Sequence, residues 1–107
     1  MVTDEYRYKI LKELQQDPDI SRRELARRLG ISLGKANFCL KALIEKGSIK
    51  AENFKKNTSK ISYLYLLTPK GIEEKSSLTK RFLLRKVAEY EALEKEIEQL
   101  RKDVRKA

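Results

Sequence analysis

The strongest constraint on the fold is a pair of short helices with clear start and stop signals, joined by a tight turn. Ser21 and Glu24 form a capping-box pattern, in which the serine hydroxyl accepts the Glu24 amide and the Glu24 carboxylate reaches back. Gly30 suits the left-handed residue that ends a helix. Ser32 can cap a second helix, which runs to about residue 46 and carries Ala36, Leu40, Leu43 and Ile44 at helical spacing on its predicted buried face. Two helices this short, joined so tightly, are predicted to cross at a steep angle.

The segments on either side extend this pattern into a recognisable order. An amphipathic helix is predicted over residues 4–16, and residues 49–53 alternate like a strand. Residues 55–60 are polar and basic and are predicted to form a loop before a returning strand over 61–67. Thr68 and Pro69 then begin a long helix to about residue 105. The fold class is therefore mainly α with a small β-hairpin (α+β): a winged helix-turn-helix plus a long C-terminal coiled-coil helix.

The last helix carries an apolar heptad stripe that Lys86 interrupts. An exposed stripe of this kind calls for a partner, so the sequence predicts a homodimer. Folding of this helix back onto the winged core is the alternative, and parallel and antiparallel pairing both stay open. Residues 1–71 are assigned to a winged helix-turn-helix domain and 72–107 to a dimerisation helix. The residues predicted to pair are Leu83, Tyr90, Leu93, Ile97, Leu100 and Val104.

Charge and composition narrow the function. The formal net charge is +9, and residues 19–60 alone carry 11 basic and 4 acidic groups, a local excess of +7. Such an excess in mid-chain favours a polyanionic partner. The chain has no His and a single Cys, Cys39, for which a core position is expected. We therefore expect no enzyme activity, no cofactor, no metal, no membrane association and a cytoplasmic location.

The winged helix-turn-helix arrangement predicts which residues contact double-stranded DNA. The second short helix would enter the major groove with its face opposite the core, where Asn37 is the best candidate for reading a base and Lys41 for meeting a phosphate. Arg22 and Arg23 would bond flanking phosphates, and the wing lysines would neutralise charge more than read sequence. The DNA-binding residues predicted in this way are Arg22, Arg23, Leu33, Gly34, Asn37, Phe38, Lys41, Lys55, Lys56 and Lys60.

These residues resemble a known family. The run "SRRELARRLGISLGKANFCLKALIEKGSIKAENF", followed by "ISYLYLLTPKGI", looks like the winged-helix core of MarR-type regulators. The tail "LTKRFLLRKVAEYEALEKEIEQLRKD" looks most like the small exopolysaccharide-associated MarR-like subgroup. The resemblance implies a homodimeric transcription regulator that binds operator DNA near polysaccharide-biosynthesis genes, and it adds Ser32 to the residues of the DNA-reading helix. Repression is the commoner mode for small regulators without an activation domain.

The sequence departs from the family in two respects, and one other function stays open. MarR-type wings usually carry an Asp-x-Arg element, whereas this wing offers Lys and Asn. Family members tend to be longer, with added helices that form a crevice for small effectors, so a small-molecule effector is not expected here. The alternative function is a protein-interaction adaptor that recruits a partner through the coiled coil. RNA binding is a weaker third hypothesis, because the sequence shows no aromatic residues placed to stack bases on an open sheet.

Overall fold

The structure is a computed structural model that describes residues 2–57 and 60–107. Within these ranges the chain forms four helices and one antiparallel hairpin, the predicted fold class. The elements in chain order are α1 (Asp4–Gln16), α2 (Arg22–Leu29), α3 (Leu33–Glu45), β1 (Ile49–Asn57), β2 (Lys60–Leu67) and α4 (Pro69–Lys106). The fold is a winged helix-turn-helix with a long C-terminal helix, as predicted from the order of the elements.

Side-chain caps start the helices at the predicted residues. The Ser21 hydroxyl accepts a hydrogen bond from the Glu24 amide at 3.1 Å, and Ser32 caps α3 in the same way. Thr68 caps α4 through the amide of Gly71, also at 3.1 Å. Gly30 ends α2 with φ of 67°, which a side chain would disfavour. The two short helices are thus bounded by local chemistry alone.

One half of the predicted capping box is wrong. The Glu24 carboxylate does not serve as a reciprocal cap but is engaged by two arginines one turn further along α2. Arg27 Nε donates to it at 2.8 Å and Arg28 Nε at 3.2 Å. Two guanidinium groups on the same helix face attract the carboxylate more strongly than one backbone amide can.

The helices bury their apolar faces in one core. Along α3, the predicted positions Ala36, Leu40 and Leu43 are buried, and Cys39 joins them as a small core residue. Ile44, predicted to belong to this stripe, is instead 40% exposed because it lies at the edge of the buried face. The other core residues are Ile10, Leu11, Leu14, Ile20, Leu25, Ile49, Tyr65 and Leu78.

The hairpin is longer than the sequence predicted. β1 and β2 pair from Ile49 opposite Leu67 to Asn57 opposite Lys60, with an irregularity between Lys55 and Asn57. The predicted loop over 55–60 is therefore wrong at residues 55–57 and 60, which lie in the strands; residues 58–59 lie outside the described ranges. Backbone pairing extends the ladder through a polar segment because ladder hydrogen bonds do not depend on side-chain polarity.

A buried polar cluster seats α4 against the hairpin and α1. Ser48 is completely buried, and its hydroxyl donates to Glu74 Oε2 at 2.6 Å. The other oxygen of Glu74 lies 2.8 Å from an Arg7 guanidinium nitrogen. Gly71 packs so tightly that a Cβ there would lie 1.9 Å from the Ser48 carbonyl oxygen. Two turns after Gly71, Leu78 joins the core. The division of the chain at residues 71 and 72 stays a prediction.

Beyond this contact α4 projects away from the winged domain. The molecule measures 72 × 26 × 23 Å, because α4 is a single helix of 38 residues. No described helix combines the length and apolar character needed to cross a membrane. The six predicted pairing residues, hereafter the tail seam, are between 41% and 74% exposed: Leu83, Tyr90, Leu93, Ile97, Leu100 and Val104. The tail therefore does not fold back onto the winged core.

Candidate nucleic-acid interface

The face of α3 opposite the core points away from the protein. Leu33 and Asn37 are half-buried, whereas Gly34, Phe38 and Lys41 are exposed. A Cβ built on Gly34 would meet no atom within 4 Å, so the chain's own packing does not require a glycine there. This face, with the cap Ser32 at its start, is the outward surface of the helix-turn-helix.

The first half of α3 shares a cleft with α2 and the hairpin. Leu33 and Asn37 line it from one side, and Arg22 and Arg23 line it from the start of α2. The Asn37 Oδ1 atom is buried and has no hydrogen-bond partner among the described residues. We call this depression the α2–wing cleft; its lining residues are Asp19, Ile20, Ser21, Arg22, Arg23, Leu33, Asn37, Tyr63 and Tyr65.

Arg22 is held by the second strand of the wing. Its Nε donates to the Tyr65 hydroxyl at 2.8 Å, and its guanidinium carbon lies 5.6 Å from the centre of the Tyr63 ring. The amide of Tyr65 also donates to the Pro18 carbonyl at 3.1 Å. The wing is therefore fastened to the start of α2, and one predicted phosphate ligand already has a partner inside the protein.

The surface arginines differ in whether acids neutralise them. Arg27 pairs with Glu24, and Arg28 is shared among Glu24, Glu13 and Asp17 at distances of 3.0 to 3.4 Å. In the described ranges, Arg23 and Lys41 form no such ion pair. Two of the predicted phosphate ligands thus have no acidic side chain paired with them in the described ranges.

Hydrogen bonding from Arg27, and then from Arg28, lowers the pKa of Glu24 to about 2, against an ordinary value of 4.5. The carboxylate therefore stays ionised at neutral pH, and it offsets part of the positive charge of α2. The basic character of the surface is consequently concentrated at the start of α2 and along α3.

Phe38 lies apart from the cleft. It lines a shallow apolar groove with Val2, Arg7 and Ala42, and it is 56% exposed. Three of the predicted DNA-binding residues on α3 are thus separated: Leu33 and Asn37 line the cleft, whereas Phe38 lies toward the N-terminal segment.

The predicted wing lysines are placed only through their backbone. Lys55 and Lys56 lie in β1 and Lys60 begins β2. Their side chains lie outside the part of the chain that the structure describes, so their assignment to DNA stays a prediction.

Sequence reasoning missed Tyr63 and Tyr65 as site residues. Both lie in the predicted strand over 61–67, and both also line the α2–wing cleft. The signal was present in the alternation of β2, where Tyr63 and Tyr65 are two residues apart and must share one face. Their partner Arg22 could not be found this way, because it lies 43 residues earlier.

Comparisons with known proteins agree with this fold. Residues 3–50 match the family model described as winged helix-turn-helix DNA-binding. Comparison with curated protein sequences gives no significant match. Among solved structures, similar chains include the adhesin competence repressor AdcR of Streptococcus pyogenes, with a TM-score of 0.67 and 20% identity over 83% of this chain. The MarR protein of Staphylococcus aureus, solved with salicylate and kanamycin, has a TM-score of 0.57 and 27% identity over 78% of this chain.

A third similar structure is S. aureus MepR in complex with DNA, with a TM-score of 0.62 and 20% identity over 78% of this chain. The present chain spans 64% of AdcR, 56% of S. aureus MarR and 57% of MepR. It therefore shares the fold of these three chains but spans less than two thirds of the length of each.

Proposed function

We propose that this chain is a sequence-specific DNA-binding transcription regulator that acts as a homodimer. The observation that carries the proposal is the outward face of α3, which combines a glycine that internal packing does not need with Lys41 and the neighbouring Arg23. A duplex has room in its major groove for such a helix, and its phosphates lie on either side. The winged helix-turn-helix match and the MepR–DNA neighbour support the same function.

Within this proposal the contacts divide by chemistry. The α3 residues Ser32, Leu33, Gly34, Asn37 and Phe38 meet the groove, where an amide side chain can bond adenine and apolar groups can contact thymine methyls. Arg23 and Lys41 neutralise phosphates. Arg22 contacts a flanking phosphate from its position beside the wing. The wing residues Lys55, Lys56 and Lys60 neutralise the adjacent backbone or minor groove.

Dimerisation belongs to the tail seam. Its six exposed apolar residues are the surface on which a second copy would pack. Two winged domains joined in this way would read an inverted repeat with half-sites about 34 Å apart. Repression by blocking polymerase is the mode we expect, and genes of polysaccharide biosynthesis are the first loci to examine.

Selection from a random pool of duplex DNA at near-physiological salt tests this function, because non-specific phosphate binding is weak under those conditions. Enrichment of an inverted repeat is the expected result. Failure to enrich any sequence would contradict the proposal and favour the adaptor function, in which the tail recruits a different protein.

Helix α2 provides a matched pair of variants: one at Arg23, which forms no ion pair in the described ranges, and one at Arg27, which pairs with Glu24. Arg23→Ala should reduce the slope of log affinity against log salt by about 1, because one phosphate contact is lost. Arg27→Ala should change the slope less, because Glu24 already neutralises Arg27. Equal changes in both variants would show that Arg23 has no special place in the interface.

A further inference from the structure

Two properties of the tail seam go beyond the existence of a dimer. The first is the type of residue in each layer of the seam, and the second is the sign of the charges beside it. The spacing alternates between three and four residues, which fixes the heptad register. Positions a are Leu83, Tyr90, Ile97 and Val104, and positions d are Lys86, Leu93 and Leu100.

We propose that two copies of this chain pair along the tail seam as a parallel two-stranded coiled coil, so that both winged domains leave it at the same end. The proposal rests on the homodimer of the proposed function and adds its orientation.

The layers of the last two heptads favour this arrangement. Ile97 and Val104 place β-branched side chains at a, whereas Leu93 and Leu100 occupy d. β-Branched residues at a with leucine at d are the combination that favours parallel two-stranded pairing, because each side chain then fits the geometry of its layer. All four are more than 40% exposed in the single chain, so they are available to a partner.

The flanking charges are compatible with the parallel orientation. In a parallel pair each g residue faces the next e residue of the other helix, which sets Glu96 against the partner's Arg101 on both sides of the dimer. Glu89 would meet the partner's Glu94, a like-charge pair at the other end. In an antiparallel pair g faces g, and the g positions of the seam are Glu89, Glu96 and Asp103. Every such g contact would repel. The e positions also face one another in this orientation, and among them Glu94 against Arg101 would attract.

Lys86 interrupts the seam without blocking it. Its ammonium lies 3.3 Å from the Glu89 carboxylate and 5.2 Å from the centre of the Phe82 ring. Phe82 in turn stacks on Tyr8 of α1 at 5.0 Å. Phe82 and Glu89 both occupy g positions, so these contacts hold the Lys86 ammonium toward the flank of the seam.

The orientation has a consequence for DNA. Residues 83–104 span about 32 Å along the helix axis at 1.5 Å per residue. Antiparallel pairing would set the winged domains at opposite ends of this rod. Parallel pairing sets them side by side, where both can reach one duplex while the rod points away from it.

Cysteine crosslinking tests the orientation in the full chain. Leu83→Cys and Val104→Cys each place a thiol at an a position near one end of the seam. In a parallel dimer each introduced thiol lies opposite the same thiol of the partner helix. It should therefore form an interchain disulfide at least about tenfold faster than the control, because the effective concentration of the partner thiol is high. The control is Lys102→Cys, which lies at the outer f position. Cys39 is 1% exposed and stays in all variants as a common background.

Sedimentation of the wild-type chain tests whether the homodimer forms, separately from the orientation of its helices. A dimer in which Leu83→Cys and Val104→Cys both crosslink is the expected result. A dimer in which neither crosslinks faster than Lys102→Cys would overturn the parallel orientation and leave the homodimer standing. A monomer at all concentrations would overturn both, whether or not the chain binds DNA. Circular dichroism of each variant confirms that the helices are intact.

Discussion

The winged domain and the tail are both built from amphipathic helices, but they bury their apolar residues by different means. In the winged domain the apolar faces of α1, α2 and α3 meet one another, and Ile10, Leu11 and Leu14 are completely buried. In the tail the same kind of stripe runs along one isolated helix, and its residues stay exposed. A compact set of short helices supplies its own partners, whereas a long single helix must find one outside the chain.

The first test of this difference removes one leucine side chain from each region. Leu14→Ala should lower the free energy of unfolding by about 2–5 kcal/mol, because it leaves a cavity in a packed core. Leu93→Ala removes a side chain that is 52% exposed in the single chain. It should leave amide hydrogen exchange in α1 and α3 nearly unchanged while weakening self-association. Equal losses of protection in both variants would show that the tail stabilises the winged core directly.

The junction between the two regions gives the next largest effect. Gly71→Ala should destabilise the protein by about 1–3 kcal/mol or more, because the new methyl group would overlap the Ser48 carbonyl oxygen. Gly34→Ala is the matched control, since a Cβ there meets nothing within 4 Å and alanine favours a helix. Chemical denaturation measures both. A Gly71→Ala variant as stable as the wild type would mean that α4 is not seated as described.

A smaller effect is expected where the wing meets α2. Tyr65→Phe keeps the buried ring but removes the hydroxyl that accepts from Arg22. The expected loss is about 1 kcal/mol, which corresponds to a fall of roughly 4–8 °C in Tm for a small domain. Tyr63→Phe is the control, because it keeps the ring near the Arg22 guanidinium. If the control loses as much stability as Tyr65→Phe, the hydrogen bond is not what fastens the wing.

The smallest effect concerns pH and the surface of α2. The pKa of Glu24 is about 2 in the folded chain and ordinarily 4.5, so its contribution to stability is fully present above pH 4.5. That contribution is lost as the pH falls through about 2. Thermal melts between pH 6 and pH 2 should therefore show a gentler decline for Glu24→Gln than for the wild type. High salt should reduce the difference, because the ion pairs are exposed. Parallel curves at low salt would contradict the assignment.

The sequence predicted those features that depend on neighbours along the chain. Ser21, Ser32 and Thr68 capped helices as expected, and Gly30 took the left-handed conformation. These signals act over three or four residues, so a local pattern contains all of their physics. The heptad spacing of the tail is local in the same sense; its residues lie exposed along α4, and their pairing stays a prediction.

The features that escaped prediction join residues far apart in the chain. Arg22 meets Tyr65 across 43 residues, and Ser48 meets Glu74 across 26. Nothing in the surrounding sequence marks such partners, because their meeting depends on how complete elements pack. The extension of the hairpin into residues 55–57 was missed for a related reason: the polar composition indicated a loop, but strand pairing across the ladder decided the outcome.

Native mass spectrometry of the chain on a duplex selected from the random pool tests the central claim most directly. The account divides the work between a winged domain that reads DNA and a tail that pairs, so it predicts two chains for each duplex. It also predicts that Leu100→Asp, which places a charge in the tail seam, reduces the complex to one chain. A wild-type complex with a single chain, or a Leu100→Asp complex that keeps two, would contradict the account.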